Sequence, residues 1–122
     1  MIKFELLRDR RILFITPLGP LEKQDFEQLA KEIDPFIAAN GKLTGLMVCV
    51  NAFPGWDSFA AFLSHLNFVR DHHRKIKRVA AVTDSELLNV MTHLARHFVS
   101  AEVRQFPSDQ KLEALTWLEA GP

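Results

Sequence analysis

The chain of 122 residues has a single cysteine, five scattered glycines and no run of apolar residues long enough to span a bilayer. One cysteine excludes an internal disulfide, so nothing in the sequence indicates an oxidising compartment. Isolated glycines exclude a glycine-rich phosphate loop, which argues against a dedicated nucleotide-hydrolysing enzyme. A membrane-spanning helix needs ~20 apolar residues, and the first residues alternate as in a strand rather than forming a signal peptide. We therefore expect a cytoplasmic protein.

Net charge is also lacking, because fifteen basic residues balance fifteen acidic ones. This balance removes the basic surplus on which non-specific nucleic-acid binding depends, so we expect no nucleic-acid partner. A hydrophobic fraction of 48% is that of an ordinary globular domain. A chain of this length buries roughly two thirds of its unfolded surface, which is enough for one core. We expect a single domain over residues 1–122.

The first part of the chain predicts a β-hairpin followed by a helix. Residues 2–7 and 11–16 alternate as strands, and the short turn between them makes the pair antiparallel. Pro20 suits the first turn of the helix that follows, and Pro35 is expected to kink or interrupt that helix near its end. Asn40 and Gly41 should stop it.

The rest of the chain predicts helices that alternate with buried strands over residues 46–50, 79–83 and 103–106. Asp84 or Ser85 should cap the third helix, and Ser108 the fourth. Apolar stripes indicate the faces of the three later helices: Phe59, Phe62, Leu63 and Leu66; then Leu87, Met91, Leu94 and Phe98; then Leu112, Leu115 and Leu118. Phe68 falls about half a turn away from its stripe, so the second helix has apolar groups on two sides.

This order is β-β-α-β-α-β-α-β-α, and strands separated by helices run parallel through right-handed crossovers. The sequence therefore predicts an α/β domain that begins with a hairpin and contains a five-stranded, mostly parallel mixed sheet with four helices.

The element order, together with residues 53–57, 78–82, 103–106 and 114–118, resembles the STAS fold of bacterial anti-sigma-factor antagonists. More narrowly it resembles the SpoIIAA-like family, which is related in fold to the lipid-binding SEC14 domains. The resemblance implies a single SpoIIAA/STAS-like domain of the bacterial cytoplasm. It also implies a module that binds a small ligand, a lipid or a partner protein, with membrane association as a further expectation.

The anti-sigma-factor antagonists carry a serine that is phosphorylated at the start of the helix after the third strand. Ser58 is the matching position, and a helix N-terminus stabilises added phosphate charge. Phe59 and Ala60 follow it, where that motif has a small residue and glycine. The other interpretation, which we favour, is that Asp57 or Ser58 simply caps the helix.

No catalytic or metal-binding set stands out in the sequence. His93 and His97 have the spacing of two metal ligands on one helix face, but no third ligand is evident, and surface histidines are the favoured interpretation. Cys49 lies inside a strand and should be a small apolar filler. We expect no enzyme activity, no metal and no cofactor.

Two aromatic side chains, Phe53 and Trp56, lie in a loop that otherwise should be polar. Such residues either plug the end of a core or contact a ligand. We predict a pocket for a small apolar or amphipathic ligand, such as a lipid, at the carboxyl edge of the parallel strands. The predicted polar contacts are Asn51, Asp57, Ser58 and Thr83. The alternative is a regulator, switched by phosphorylation of Ser58, that binds a partner protein through the start of the second helix.

A cluster of positive charge follows the second helix. We predict weak, salt-sensitive association with the inner membrane face through Arg74, Lys75, Lys77 and Arg78. Phe53 and Trp56 cannot anchor the same contact, because a helix of ~15 residues holds them ~22 Å away, at the opposite edge of the sheet. A homodimer is a further expectation, because zero net charge favours self-association.

Overall fold

The predicted hairpin opens the chain. In the computed structural model, which describes residues 1–120, β1 (Ile2–Leu7) pairs antiparallel with β2 (Ile12–Pro17). The other three strands, β3 (Leu43–Cys49), β4 (Ile76–Val82) and β5 (Glu102–Phe106), are parallel to β2. The strand order is β1-β2-β3-β4-β5. The expected five-stranded mixed α/β sheet is confirmed.

Four helices complete the fold: α1 (Lys23–Asn40), α2 (Phe59–His72), α3 (Glu86–Ala95) and α4 (Lys111–Glu119). A 3-10 turn, His73–Lys75, joins α2 to β4. Each right-handed crossover moves one strand along the sheet in the same direction, so α1, α2 and α3 cover one face. The last helix, α4, packs on the other face against β3, β4 and β5.

The core therefore has two layers, one on each face of the sheet. One layer joins the sheet to α1 through Leu13, Leu29 and Ile33, and the other joins it to α4 through Met47 and Leu118. On the α4 side the helix lies directly on Gly45, where an added Cβ would be 2.8 Å from Leu118 Cδ2. That close approach requires glycine in the middle of β3.

The predictions for Pro20 and Ser108 were wrong, and the predicted interruption of α1 at Pro35 does not occur. Pro35 does not interrupt α1, which continues to Asn40; Gly41 then caps it with φ 84°. Pro20 lies before the helix, which begins at Lys23 after the cap residue Glu22. Ser108 does not cap α4, which follows Gln110, because its backbone and hydroxyl both donate to the Asp84 carboxylate.

The apolar stripes of α2 and α3 were predicted to face the core, and most of their residues face outwards. Phe59 is 72% exposed and Phe98, just beyond the end of α3, is 80% exposed. The remaining exposed members are Leu63, Leu66, Leu87 and Leu94, with Leu112 on α4. The inward residues of the two helices are a mixture of small, polar and large apolar side chains; they are Ala61, His65, Phe68 and His72 on α2, and Leu88, Met91, Thr92 and Ala95 on α3. The prediction that α2 has apolar groups on two sides is confirmed.

Candidate functional site

A groove separates α2 from α3 on the sheet. Helix α2 packs mainly against α1, and α3 packs against β5, so neither covers the strands between them. Two adjoining cavities of about 280 and 230 Å³ occupy this groove. The residues that line both cavities are Val48, His65, Val79, Ala95 and Val103. We call the two cavities together the α2–α3 groove.

The larger cavity lies at the carboxyl edge of the parallel strands. Phe53 and Pro54 from the loop after β3 and Thr83 at the end of β4 line it, together with Leu88 and Met91 of α3. The smaller cavity extends towards the amino edge, past Phe68 and Val69 of α2 to Ile76 and Ala101. The groove therefore runs along the strands from one edge of the sheet to the other.

The aromatic loop is tied to the start of α1. Leu21 forms an isolated parallel bridge with Trp56. The Leu21 N–H donates to Gly55 O at 2.8 Å, and the Asp57 N–H donates to Leu21 O at 2.9 Å. Gly55 has a φ angle of 76°, a backbone conformation that residues other than glycine rarely adopt. These bonds hold Phe53 and Trp56 against the carboxyl end of the groove.

Trp56 holds a histidine in place. Its indole Nε1–H donates to His65 Nδ1 at 3.1 Å. The indole ring also contacts Phe53 and Phe62 edge-on, with ring centroids 4.8 and 4.7 Å apart. Trp56 does not line either cavity of the groove; it lies behind His65, which does.

His65 is the functional candidate that sequence reasoning missed. Its ring stacks on Phe26 with centroids 4.9 Å apart, and burial lowers the pKa of its imidazole. Because Nδ1 accepts from Trp56, the neutral ring carries its proton on Nε2. No residue in the described part of the chain bonds to that Nε2. The helical spacing of the sequence could have indicated that His65 faces inwards, because it follows Ala61 by four residues and precedes Phe68 by three.

The predicted site residues do not all meet in the groove. Phe53 and Thr83 line the larger cavity. Asn51 lines a separate cavity of about 240 Å³ with Cys49 and Lys111, beside α4. Asp57 and Ser58 are exposed. The Ser58 hydroxyl accepts from the Ala61 N–H at 3.1 Å, so the capping interpretation of Ser58 is confirmed.

The environments of the cysteine and of the other histidines do not bring them together into a reactive or metal-binding site within the described residues. Burial raises the pKa of the Cys49 thiol, with nearby Lys111 opposing the shift. His93 and His97 are exposed, and His97 lies beyond the end of α3. His72, the last residue of α2, is buried. One of its ring nitrogens contacts Phe68 O and the other contacts Asp34 Oδ1, both at 2.7 Å. Across residues 1–120, no group of three or more metal-binding side chains comes together.

The four residues predicted to contact the membrane, which we call the basic segment, differ in their exposure; they are Arg74, Lys75, Lys77 and Arg78. Arg74 and Lys75 are exposed on the 3-10 turn, whereas the Arg78 side chain is only 15% exposed. Arg78 donates to Glu102 at 3.1 Å and to Trp117 O at 2.7 Å, and its guanidinium lies 4.8 Å from the Trp117 ring centroid. These contacts direct Arg78 towards α4, so its prediction as a membrane-facing residue was wrong. None of the helices within residues 1–120 has the length and hydropathy of a membrane span.

The structure is therefore an α/β domain with a mixed five-stranded sheet and an apolar groove on one face. A family model described as SpoIIAA-like matches residues 12–119, and the chain belongs to the SpoIIAA-like family. A crystal structure of an uncharacterised protein from Shewanella loihica, described as having a SpoIIAA-like fold, is similar with 26% identity and a TM-score of 0.76. The similarity covers 97% of this chain and 92% of that one. No curated protein matches the chain.

Proposed function

We propose that this protein is a non-enzymatic binding module that holds a small apolar or amphipathic molecule, such as a lipid chain, in the α2–α3 groove. The observation that carries the proposal is the apolar floor of the groove. Val48 on β3 and Val79 on β4 are only partly buried, and together with Val103 on β5 they line both cavities. Strands of parallel sheets are normally covered on both faces. A bound apolar molecule would cover them, at about 25 cal/mol for each Å² removed from water.

The dimensions of the groove favour a slender ligand. At roughly 30 Å³ for each water-sized group, the larger cavity has room for about nine non-hydrogen atoms. The smaller cavity adjoins the larger one along the strands, because both lie between α2 and α3. A single hydrocarbon chain of moderate length suits this arrangement.

Native mass spectrometry of the protein purified from its own host tests the proposal. We expect a fraction of the protein to carry the additional mass of one small molecule. Ala95 lines both cavities, so Ala95→Phe should fill the groove and remove that mass. Leu94→Phe is the matched control, since Leu94 is the exposed neighbour on the same helix. Bare protein throughout, or an additional mass that Ala95→Phe retains, would overturn the proposal.

The same measurement tests the alternative, a regulator switched by phosphorylation. Ser58 is exposed at the first turn of α2, a position open to modification. The mass of one phosphate, absent from Ser58→Ala and accompanied by no small molecule, would favour that alternative.

We also propose weak association with anionic membranes through the exposed part of the basic segment. Three charges, on Arg74, Lys75 and Lys77, would contribute about 3 kcal/mol, which corresponds to binding weaker than millimolar. The exposed aromatic side chain of Phe98 belongs to a segment that contacts the turn carrying two of these charges. The Ser100 N–H donates to His73 Nδ1 at 2.9 Å, which joins the segment after α3 to the basic turn.

A further inference from the structure

Among the described side chains that line the larger cavity, three are polar: His65, Thr83 and Thr92. The Thr83 hydroxyl accepts from the Ser85 N–H at 3.1 Å. The Thr92 hydroxyl donates to Leu88 O at 2.8 Å. Each threonine hydroxyl therefore already has one backbone partner. His65 Nε2 is the polar side-chain atom of this cavity that has no hydrogen-bond partner within residues 1–120.

The position of the proton on His65 is set by its neighbour. The indole of Trp56 can only donate, so His65 Nδ1 must accept, and the neutral imidazole carries hydrogen on Nε2. No buried polar side-chain atom among residues 1–120 lacks a partner. Since Nε2 has no partner within those residues, it is not fully enclosed. The ring therefore presents one N–H donor where small molecules can reach it.

The surroundings keep that donor uncharged. Phe26 of α1 stacks on the ring, Trp56 bonds to its Nδ1, and most of the residues that line the larger cavity with it are apolar. Burial lowers its pKa, and no charged group in the described part of the chain contributes to that shift. Other titratable groups on the groove, His72 and His73, line the smaller cavity and are held by their own partners. A carboxylate beside neutral His65 would be a buried charge without a counter-ion.

We propose that His65 makes the groove selective for molecules that carry a neutral carbonyl oxygen on an apolar chain, such as a ketone, an ester or an amide. The carbonyl oxygen accepts from Nε2–H, and the chain lies along Val48 and Val79. This inference rests on the proposed function of the groove. It gives Trp56, predicted from the sequence as a direct ligand contact, an indirect role: it fixes the tautomer that donates.

Calorimetric titration with two probes of nearly equal size tests the selectivity. We expect 2-nonanone to bind the wild-type protein at least tenfold more tightly than nonanoate at about pH 8, where the acid is ionised. His65→Phe keeps an aromatic ring but has no N–H, and it should weaken 2-nonanone binding about fivefold to tenfold. His93→Phe, the same change at an exposed histidine, should leave the affinity unchanged.

Side-chain ¹⁵N spectra of the wild-type protein provide a second readout that does not depend on a variant folding. We expect the His65 ring to show hydrogen on Nε2 alone, and the Nε2–H signal to move downfield when 2-nonanone is added.

The outcomes separate this inference from the proposal for the groove. If n-octane, a slender probe without a carbonyl group, binds the wild-type protein but not Ala95→Phe, the groove proposal stands. Tighter binding of nonanoate than of 2-nonanone, or full ketone affinity in a folded His65→Phe, then overturns the carbonyl selectivity alone. If neither n-octane nor 2-nonanone binds, both proposals fail.

Discussion

The burial of His65 makes the stability of the fold depend on pH. Because burial lowers its pKa below the usual value of about 6.5, the unfolded chain binds more protons than the folded one between these two values. The stabilisation is complete above about pH 6.5 and is lost as the pH falls towards the lowered value. We expect urea unfolding to show that the wild-type protein loses more stability than His65→Phe between about pH 7.5 and 5.5. Parallel curves for the two proteins would contradict this account.

Gly45 tests the close packing of α4 on the sheet. A Cβ at this position would meet Leu118 at 2.8 Å, so Gly45→Ala must push the helix away. We expect it to lower the free energy of unfolding by about 1–3 kcal/mol in urea titrations. Gly19→Ala is the control, because its nearest neighbour, Met1 Cβ, is 3.9 Å away. Equal stability of the two variants would show that α4 does not lie against β3.

Local chemistry at single residues was predictable where a residue acts on its own helix. Ser58 and Ser85 each cap the helix that follows, as their positions indicated. Ser108 failed as a cap because Asp84, distant in sequence, accepts both of its hydrogens. The role of His65 was equally hidden, since its partners Trp56 and Phe26 come from other elements.

At the level of helices, the periodicity of apolar residues correctly predicted that α2 and α3 exist, but the face predicted to meet the core was wrong for both. Both helices have large apolar residues on two sides: Phe68 of α2 and Met91 of α3 face inwards, and other large apolar residues face outwards. A hydrophobic stripe alone cannot show which side meets the sheet. In this fold small residues such as Ala61 and Ala95 face inwards, whereas Phe59 and Leu94 face outwards.

Two leucine substitutions test this orientation. Leu94→Gln, on the outward face of α3, should change the free energy of unfolding by less than about 0.5 kcal/mol. Leu118→Ala, at a fully buried position on α4, should cost about 2–5 kcal/mol. Chemical denaturation measures both. A loss from Leu94→Gln as large as that from Leu118→Ala would mean that α3 turns its leucines towards the core.

For the molecule as a whole, connection lengths determined most of the fold. The four-residue turn between β1 and β2 makes that pair antiparallel, and each helical crossover makes the next strand parallel, so the strand directions followed from the element order. The groove could not be predicted this way. The groove forms because α2 packs mainly against α1 and α3 packs against β5. This packing depends on side chains from elements that are distant in sequence.

The distribution of charge over the molecule predicts weak, salt-sensitive membrane binding. In co-sedimentation with anionic vesicles, the double variant Arg74→Gln/Lys75→Gln should bind less than the wild-type protein at low salt. Lys23→Gln/Lys111→Gln is the matched control, because it removes two exposed charges at the opposite edge of the sheet. Equal binding of the two double variants, or binding that high salt leaves unchanged, would refute membrane contact through the basic segment.

The central claim is that the α2–α3 groove takes an apolar molecule, and intermolecular nuclear Overhauser effects test it most directly. With 2-nonanone added to methyl-labelled protein, we predict contacts from the ligand to the methyl groups of Val48, Val79 and Ala95 inside the groove. Contacts confined to the outward methyl groups of Leu63 and Leu94 would place the molecule on the surface instead and contradict the claim.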